Sequence, residues 1–261
     1  MIIPFFQVDA FSNKTFGGNP AAICILDSWL DNHVLQKIAA ENNLSETAFI
    51  THISPGHYGL KWFTPSVEVD LCGHATLASA FVLLKFYEPN RTELKFQTVS
   101  GELYVYKSGE LLSMNFPARP PVNANPPEIL AEALGAKANY ILESRDLMAV
   151  FEDEKIIKNI SPDFDKLKEI KSHFGIIISA PGNNSDFVSR FFAPNAGVNE
   201  DPVTGSTHCT LIPYWAKRLR KNKLHAYQLS DRIGEIYCEY SIDRVTISGY
   251  STLFAKGEIY I

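Results

Sequence analysis

A chain of 261 residues, 46% hydrophobic and 20% charged with a mean hydropathy of −0.06, has the composition of a globular protein, not of a disordered or fibrous one. That length suits one large domain or two of about 130 residues each, and the net charge of −5 speaks against nucleic acid as a partner. No apolar run reaches the ~18 residues of a membrane helix, which argues against a membrane partner.

Ile2 to Val8 reads as an apolar strand, and Asn13-Lys14 and Gly17-Gly18-Asn19-Pro20 punctuate the turn before a second strand, Ala21 to Leu26. The glycine-rich loop is a turn in any case and is also a place where backbone can approach a ligand. Met1-Ile2-Ile3-Pro4 lacks the basic region of a secretory signal. Val34, Leu35, Ile38 and Ala39 recur at helical spacing, with Ser28 or Asp31 available as cap, and Asn42-Asn43 ends that helix. Leu44-Ser45-Glu46-Thr47-Ala48 then places a carboxylate between a helix stop and an apolar strand.

Tyr58 to Phe63 is another strand, and it leads to Asp70-Leu71-Cys72-Gly73-His74-Ala75-Thr76, where extended chain turns into a helix running to Phe86 that is apolar on almost every face. Strands at Leu94 to Thr98, Leu103 to Tyr106 and Leu111 to Phe116 complete a first half, residues 1–116. Five prolines between Pro117 and Pro127 mark residues 117–127 as an extended linker.

The second half, residues 128–261, opens with a helix closed by Gly135. Strands around Tyr140 to Leu142 and Leu147 to Phe151, a helix from Pro162 to Lys171, and a strand at Gly175 to Ser179 follow. Arg190 to Ala193 leads into Glu200-Asp201-Pro202-Val203-Thr204-Gly205-Ser206-Thr207-His208 and a helix carrying Pro213, which should kink it. Lys217 to Lys223 is a basic run suited to that helix's C-terminus. Four strands close the chain; the last either ends a meander or crosses back to the first half.

The two halves echo each other. Phe63-Thr64-Pro65 leads to Cys72-Gly73-His74, and Phe192-Ala193-Pro194 leads to Thr204-Gly205-Ser206. Each echo ends at a glycine-opened helix start, where uncovered N–H groups and the helix dipole favour an anion. Glu46, Asp70 and Asp201 stand near these starts in sequence, with His74, His208, Cys72 and Ser206. No H-E-x-x-H, G-x-S-x-G, Walker or G-x-G-x-x-G pattern is present. The four cysteines, Cys24, Cys72, Cys209 and Cys238, lack C-x-x-C spacing and fit neither a disulfide scaffold nor a zinc site, so a cytoplasmic protein with reduced thiols is expected. The residues available are acids and bases without a cofactor or metal. Two helix N-termini facing one cleft, with a carboxylate to move a proton, would suit an isomerase, epimerase or racemase acting on a small carboxylic acid.

Phe6-Gln7-Val8-Asp9-Ala10-Phe11, Phe16-Gly17-Gly18-Asn19-Pro20-Ala21-Ala22, Asn43-Leu44-Ser45-Glu46-Thr47-Ala48-Phe49, Asp70-Leu71-Cys72-Gly73-His74-Ala75-Thr76-Leu77 and Glu200-Asp201-Pro202-Val203-Thr204-Gly205-Ser206 resemble the PhzF-like phenazine-biosynthesis family. The resemblance implies an α+β, diaminopimelate-epimerase-like fold of two pseudo-symmetric domains, each a curved, mostly antiparallel sheet around a central helix. It also implies a homodimer that needs no cofactor. By the same resemblance Glu46 is the catalytic base, with Asp201 and His74 beside it in catalysis. Ser45, Gly73, Gly205, Ser206 and Asn19 are the substrate-binding residues.

Cys72 sits where the wider superfamily carries the first of two catalytic cysteines, but Thr204 holds the second place, which leaves at most a one-base lyase or epimerase role for Cys72. Two further readings stand open: Asp201 as base with Glu46 structural, and a non-catalytic member that binds a small anion or metabolite.

Overall fold

The computed structural model describes residues 1–261. The chain divides into two compact units, Met1–Asn115 together with Ser248–Ile261, and Phe116–Ile247.

The first unit begins with β1 (Ile2–Ala10), β2 (Asn19–Leu26), α1 (Asn32–Asn42), β3 (Glu46–Ser54), β4 (His57–Phe63) and β5 (Glu68–Val69). The central helix α2 (Gly73–Val82) and three strands, β6 (Glu93–Thr98), β7 (Gly101–Ser108) and β8 (Leu111–Pro117), follow. β1 is antiparallel to β2, β2 parallel to β3, β3 antiparallel to β4, and β4 parallel to β6, which continues antiparallel into β7 and β8.

α2 packs on β1, β2 and β3 and is buried from His74 to Ala80. A helix buried on all sides cannot send polar groups to water, so Thr76 and Ser79 donate their hydroxyls back to the carbonyls of Cys72 and Ala75 at 2.6 and 2.7 Å. The helix expected to reach Phe86 stops at Val82. Residues 83–87 form a π-helical turn instead, closed by Glu88 N–H donating to Leu83 O, and it lays Phe86 against Phe6 with ring centroids 5.2 Å apart. On the other flank α1 inserts Leu35, Ile38 and Ala39 among Ile3, Cys24, Leu26, Phe49 and Phe63. Asp31 precedes α1, yet its side chain makes no capping bond.

The second unit comprises β9 (Val122–Asn123), α3 (Leu130–Leu134), β10 (Tyr140–Glu143), β11 (Leu147–Val150), α4 (Glu154–Asn159) and α5 (Phe164–Leu167). It continues with β12 (Ile176–Pro181), β13 (Phe187–Phe192), α6 (Gly205–Leu219), β14 (Lys223–Gln228), β15 (Gly234–Ser241) and β16 (Arg244–Gly249). The chain then returns to the first unit as β17 (Ser251–Tyr260), which pairs with β1. Pairing repeats that of the first unit: β10 antiparallel to β11, β11 parallel to β12, β12 antiparallel to β13, β13 parallel to β14, β14 antiparallel to β15. α6 runs through Pro213 and buries Trp215, whose indole stacks on Phe187 at 5.6 Å and donates its N–H to Ser179 Oγ at 2.9 Å.

Other sequence boundaries shift as well. Residues 117–127, read as a linker, are tied into the second unit: Ala118 N–H donates to Asp243 O, Arg119 N–H to Cys209 O, and β9 pairs with β10. The helix expected from Pro162 to Lys171 spans only Phe164–Leu167; its start is fixed by Asp163, which accepts from the amides of Asp165 and Lys166. α4, an element with no apolar period in the sequence, is likewise set by its cap, Asp153 accepting from Lys155 N–H. Of the basic run, Lys217 and Arg218 lie in the last turn of α6, while Lys221 pairs with Asp186 and Lys223 opens β14.

Candidate active site

Strand direction brings the first unit's site together. β2 and β3 run parallel with Ala21 opposite Glu46, so Asn19 and Glu46 head neighbouring strands at one edge of the sheet. β4 runs the other way, with Phe63 opposite Thr47, and delivers the chain to that same edge just before α2 begins. Glu46, Cys72, His74 and Asn19 therefore converge although they are far apart in sequence.

His74 is the hub. Its Nε2 lies 3.1 Å from Glu46 Oε2 and its Nδ1 lies 3.2 Å from Asn19 Nδ2. Glu46 is about one-fifth exposed, whereas His74, Cys72 and Asn19 are buried. The Glu46 Oε2 contact has ion-pair distance without hydrogen-bond geometry, so this oxygen is buried and poised rather than saturated. Burial would lower the pKa of His74, but its neighbours Cys72 and Glu46 outweigh it and hold the value well above the usual range. Burial first, and then the charge of Glu46, push the Cys72 thiol up, and the opposing pull of His74 and the Ala75 N–H does not reverse this. With the thiol protonated, the Glu46 carboxylate is the neighbour that sustains the charge on His74.

Glu46 Oε2, Cys72 Sγ and a His74 nitrogen lie within 4.8 Å of one another, close enough to ask whether they ligate a metal. Cys72 Sγ is 3.5 Å from Nδ1 and 4.0 Å from Nε2. The sulfur is within hydrogen-bonding reach of Nδ1, the ring nitrogen opposite the one that Glu46 approaches.

Gly73 and His74 are the first residues of α2, ahead of its first intrahelical bond, Thr76 N–H to Cys72 O at 3.1 Å. Their amides point out of the helix N-terminus, where an anion is favoured. Ser45 immediately precedes Glu46 and is half-buried.

In the second unit Asp201, Gly205 and Ser206 come together at the start of α6. Thr204 Oγ1 donates to Asp201 Oδ2 at 2.5 Å, which fixes the carboxylate against the N-cap. The organiser of this corner is Gln228 at the end of β14, a residue that no local motif marks. It accepts from Thr204 N–H at 2.9 Å and donates to Asp201 O at 2.9 Å. His208 donates its Nδ1–H to Thr204 O at 2.9 Å, and complete burial takes its pKa down to about 4. It is a neutral strut of the helix start.

No helix is long and apolar enough to cross a membrane. The family model described as "Phenazine biosynthesis-like protein" matches residues 8–257. An uncharacterized isomerase of Pseudomonas aeruginosa is 49% identical to the chain over 261 residues, covering all of both proteins. The human phenazine biosynthesis-like domain-containing protein is 37% identical over 286 residues, covering 99% of each. A crystal structure of a PhzF family protein from Enterococcus faecalis superposes with a TM-score of 0.98 at 47% identity, covering 100% of both chains. A family model spanning nearly the whole chain, joined to relatives of matching length and fold, places this protein in the PhzC-PhzF, phenazine biosynthesis-like family.

Proposed function

We propose that this protein is an isomerase that moves a proton on a small carboxylic acid, with Glu46 as the base. The observation that carries the reading is the contact of Glu46 Oε2 with His74 Nε2 at 3.1 Å, at the N-terminus of a buried helix. The names of the Pseudomonas relatives, uncharacterized isomerases, agree in reaction class. The substrate carboxylate accepts from the Gly73 and His74 amides. Glu46 takes a proton from a nearby carbon and returns it to another position of the same molecule. Negative charge that develops on the substrate meets the positive end of α2 and the His74 ring, both already in place before reaction. Asp201, bonded to Thr204, shapes the start of α6, where Gly205 and Ser206 carry that helix's first amides, a second place that favours an anion.

Turnover of candidate acids in deuterated solvent tests this. Glu46→Gln keeps the side chain's size and removes the titrating proton, so rate and label uptake should fall by roughly 10²- to 10⁴-fold with binding retained. Near-normal turnover in Glu46→Gln would remove the assignment, and loss confined to Asp201→Asn would transfer the role to Asp201. Binding of a small acid without turnover in the wild type would favour the non-catalytic reading.

A further inference from the structure

The loop between β1 and β2 is built to hold one side chain. Phe16 and Gly18 both have positive φ, 69° and 63°. For a phenylalanine this conformation is strained and needs support. Asp9, almost wholly buried, supplies it by accepting the Phe16 N–H at 2.9 Å. Gly18 lies so close to β1 that a Cβ there would sit 2.0 Å from Ala10 O, so no other residue fits. The loop delivers Asn19, fully buried, with its amide nitrogen 3.2 Å from His74 Nδ1.

An amide nitrogen only donates. With Nδ2 towards the ring, His74 must accept at Nδ1, so in the neutral state its single proton sits on Nε2, facing Glu46. An amide turned over presents its oxygen instead and accepts from the Nδ1–H of the imidazolium. Asparagine serves both charge states from one position, which neither a carboxylate nor a hydrocarbon does. The titratable groups facing His74 are Glu46 at the head of β3 and Cys72 ahead of α2, while Asp9 lies behind the loop and bonds to Phe16.

We propose that Asn19 is a positioning residue that holds His74 at Nδ1, its amide donating to the neutral ring and accepting from the charged one, so that Nε2 and its proton stay turned to Glu46 in both states. This rests on the reading of His74 and Glu46 as the working pair, and it differs from a role for Asn19 as a substrate contact.

Long-range ¹H–¹⁵N spectra of the full-length protein with labelled histidine read the tautomer directly and need no substrate, so failure here is separable from failure of the Glu46→Gln experiment. His74→Gln assigns the resonance. Neutral His74 in the wild type should show the Nε2–H pattern. Asn19→Asp, with an acceptor fixed at Nδ1, should raise the His74 pKa by one unit or more, a tenfold or greater gain in proton affinity. Asn19→Leu should let the Nδ1–H tautomer appear. An Nδ1–H tautomer in the unaltered protein overturns the proposal whether or not the variants fold. So does a His74 titration and tautomer unchanged in folded Asn19→Asp and Asn19→Leu.

Discussion

Gly175 stands in the second unit where Glu46 stands in the first. Thr47 pairs with Phe63 and Ile176 with Phe192, and each later residue follows its counterpart by the same 129 positions. In this register Glu46 is the first residue of β3, and Gly175 is the residue just ahead of β12. A Cβ at Gly175 would meet the Phe191 ring at 2.3 Å, and Phe191 is itself buried. The repeat has thus kept the strands and closed the second site to any side chain. Gly175→Ala is expected to destabilise the protein by about 1 to 3 kcal/mol through overpacking, measurable as a fall in the urea midpoint. Equal stability of the two proteins would show that Phe191 yields.

Two histidines should give stability opposite pH dependences. His74 has its folded pKa above its unfolded value, so its contribution is complete below about pH 6.5 and fades as pH rises through the folded pKa. His208, whose pKa is lowered to about 4, is bound by more protons when unfolded, so its contribution is complete above about pH 6.5 and fades as pH falls towards 4. The His208 loss amounts to roughly 3 kcal/mol. Urea unfolding across pH should show the alkaline decline removed in Glu46→Gln and the acid decline reduced in His208→Gln.

Gln228 joins two segments of the second unit through a fully buried amide. Gln228→Leu leaves the Thr204 N–H and the Asp201 carbonyl without their partner, and the cost should be about 2 to 4 kcal/mol. Gln228→Glu restores the acceptor and not the donor, so its urea midpoint should lie between those of Leu and wild type.

Cys72 offers a clean comparison with Glu46. Its thiol is held above the ordinary range by burial, which makes it a poor nucleophile and a poor base at neutral pH. Alkylation by iodoacetamide at pH 8 should be slow in the folded protein and fast in urea, and Cys72→Ala should keep turnover within about tenfold of wild type. A loss as large as that of Glu46→Gln would instead make the thiol the base.

What the sequence revealed follows from where its information is local. The echo of Phe63 and Phe192 survives because each ends a strand that must feed a helix, and both glycine-opened helix starts were readable for the same reason. α4 and the true extent of α5 were not, since helices of six and four residues hold too few turns for an apolar period. Gln228 was invisible because its partners lie 24 and 27 positions away and nothing in its own strand distinguishes it. Cys72 was readable as a candidate, but its contact with His74 depends on the side chain's direction at an extended residue before α2.

The pairing of β17 with β1 has a consequence for the order of events during synthesis. Ile2 is matched with Tyr260, and β1 is flanked by β17 on one side and β2 on the other. On the ribosome β1 emerges early, yet its second neighbour emerges only after all of residues 116–247. Until then β1 is an open edge, with Phe5 and Ile3 among the residues exposed to stray pairing. The unit that carries Glu46 and His74 is begun first and completed second, so a nascent chain could hold a finished second unit while its candidate site still waits for its last strand.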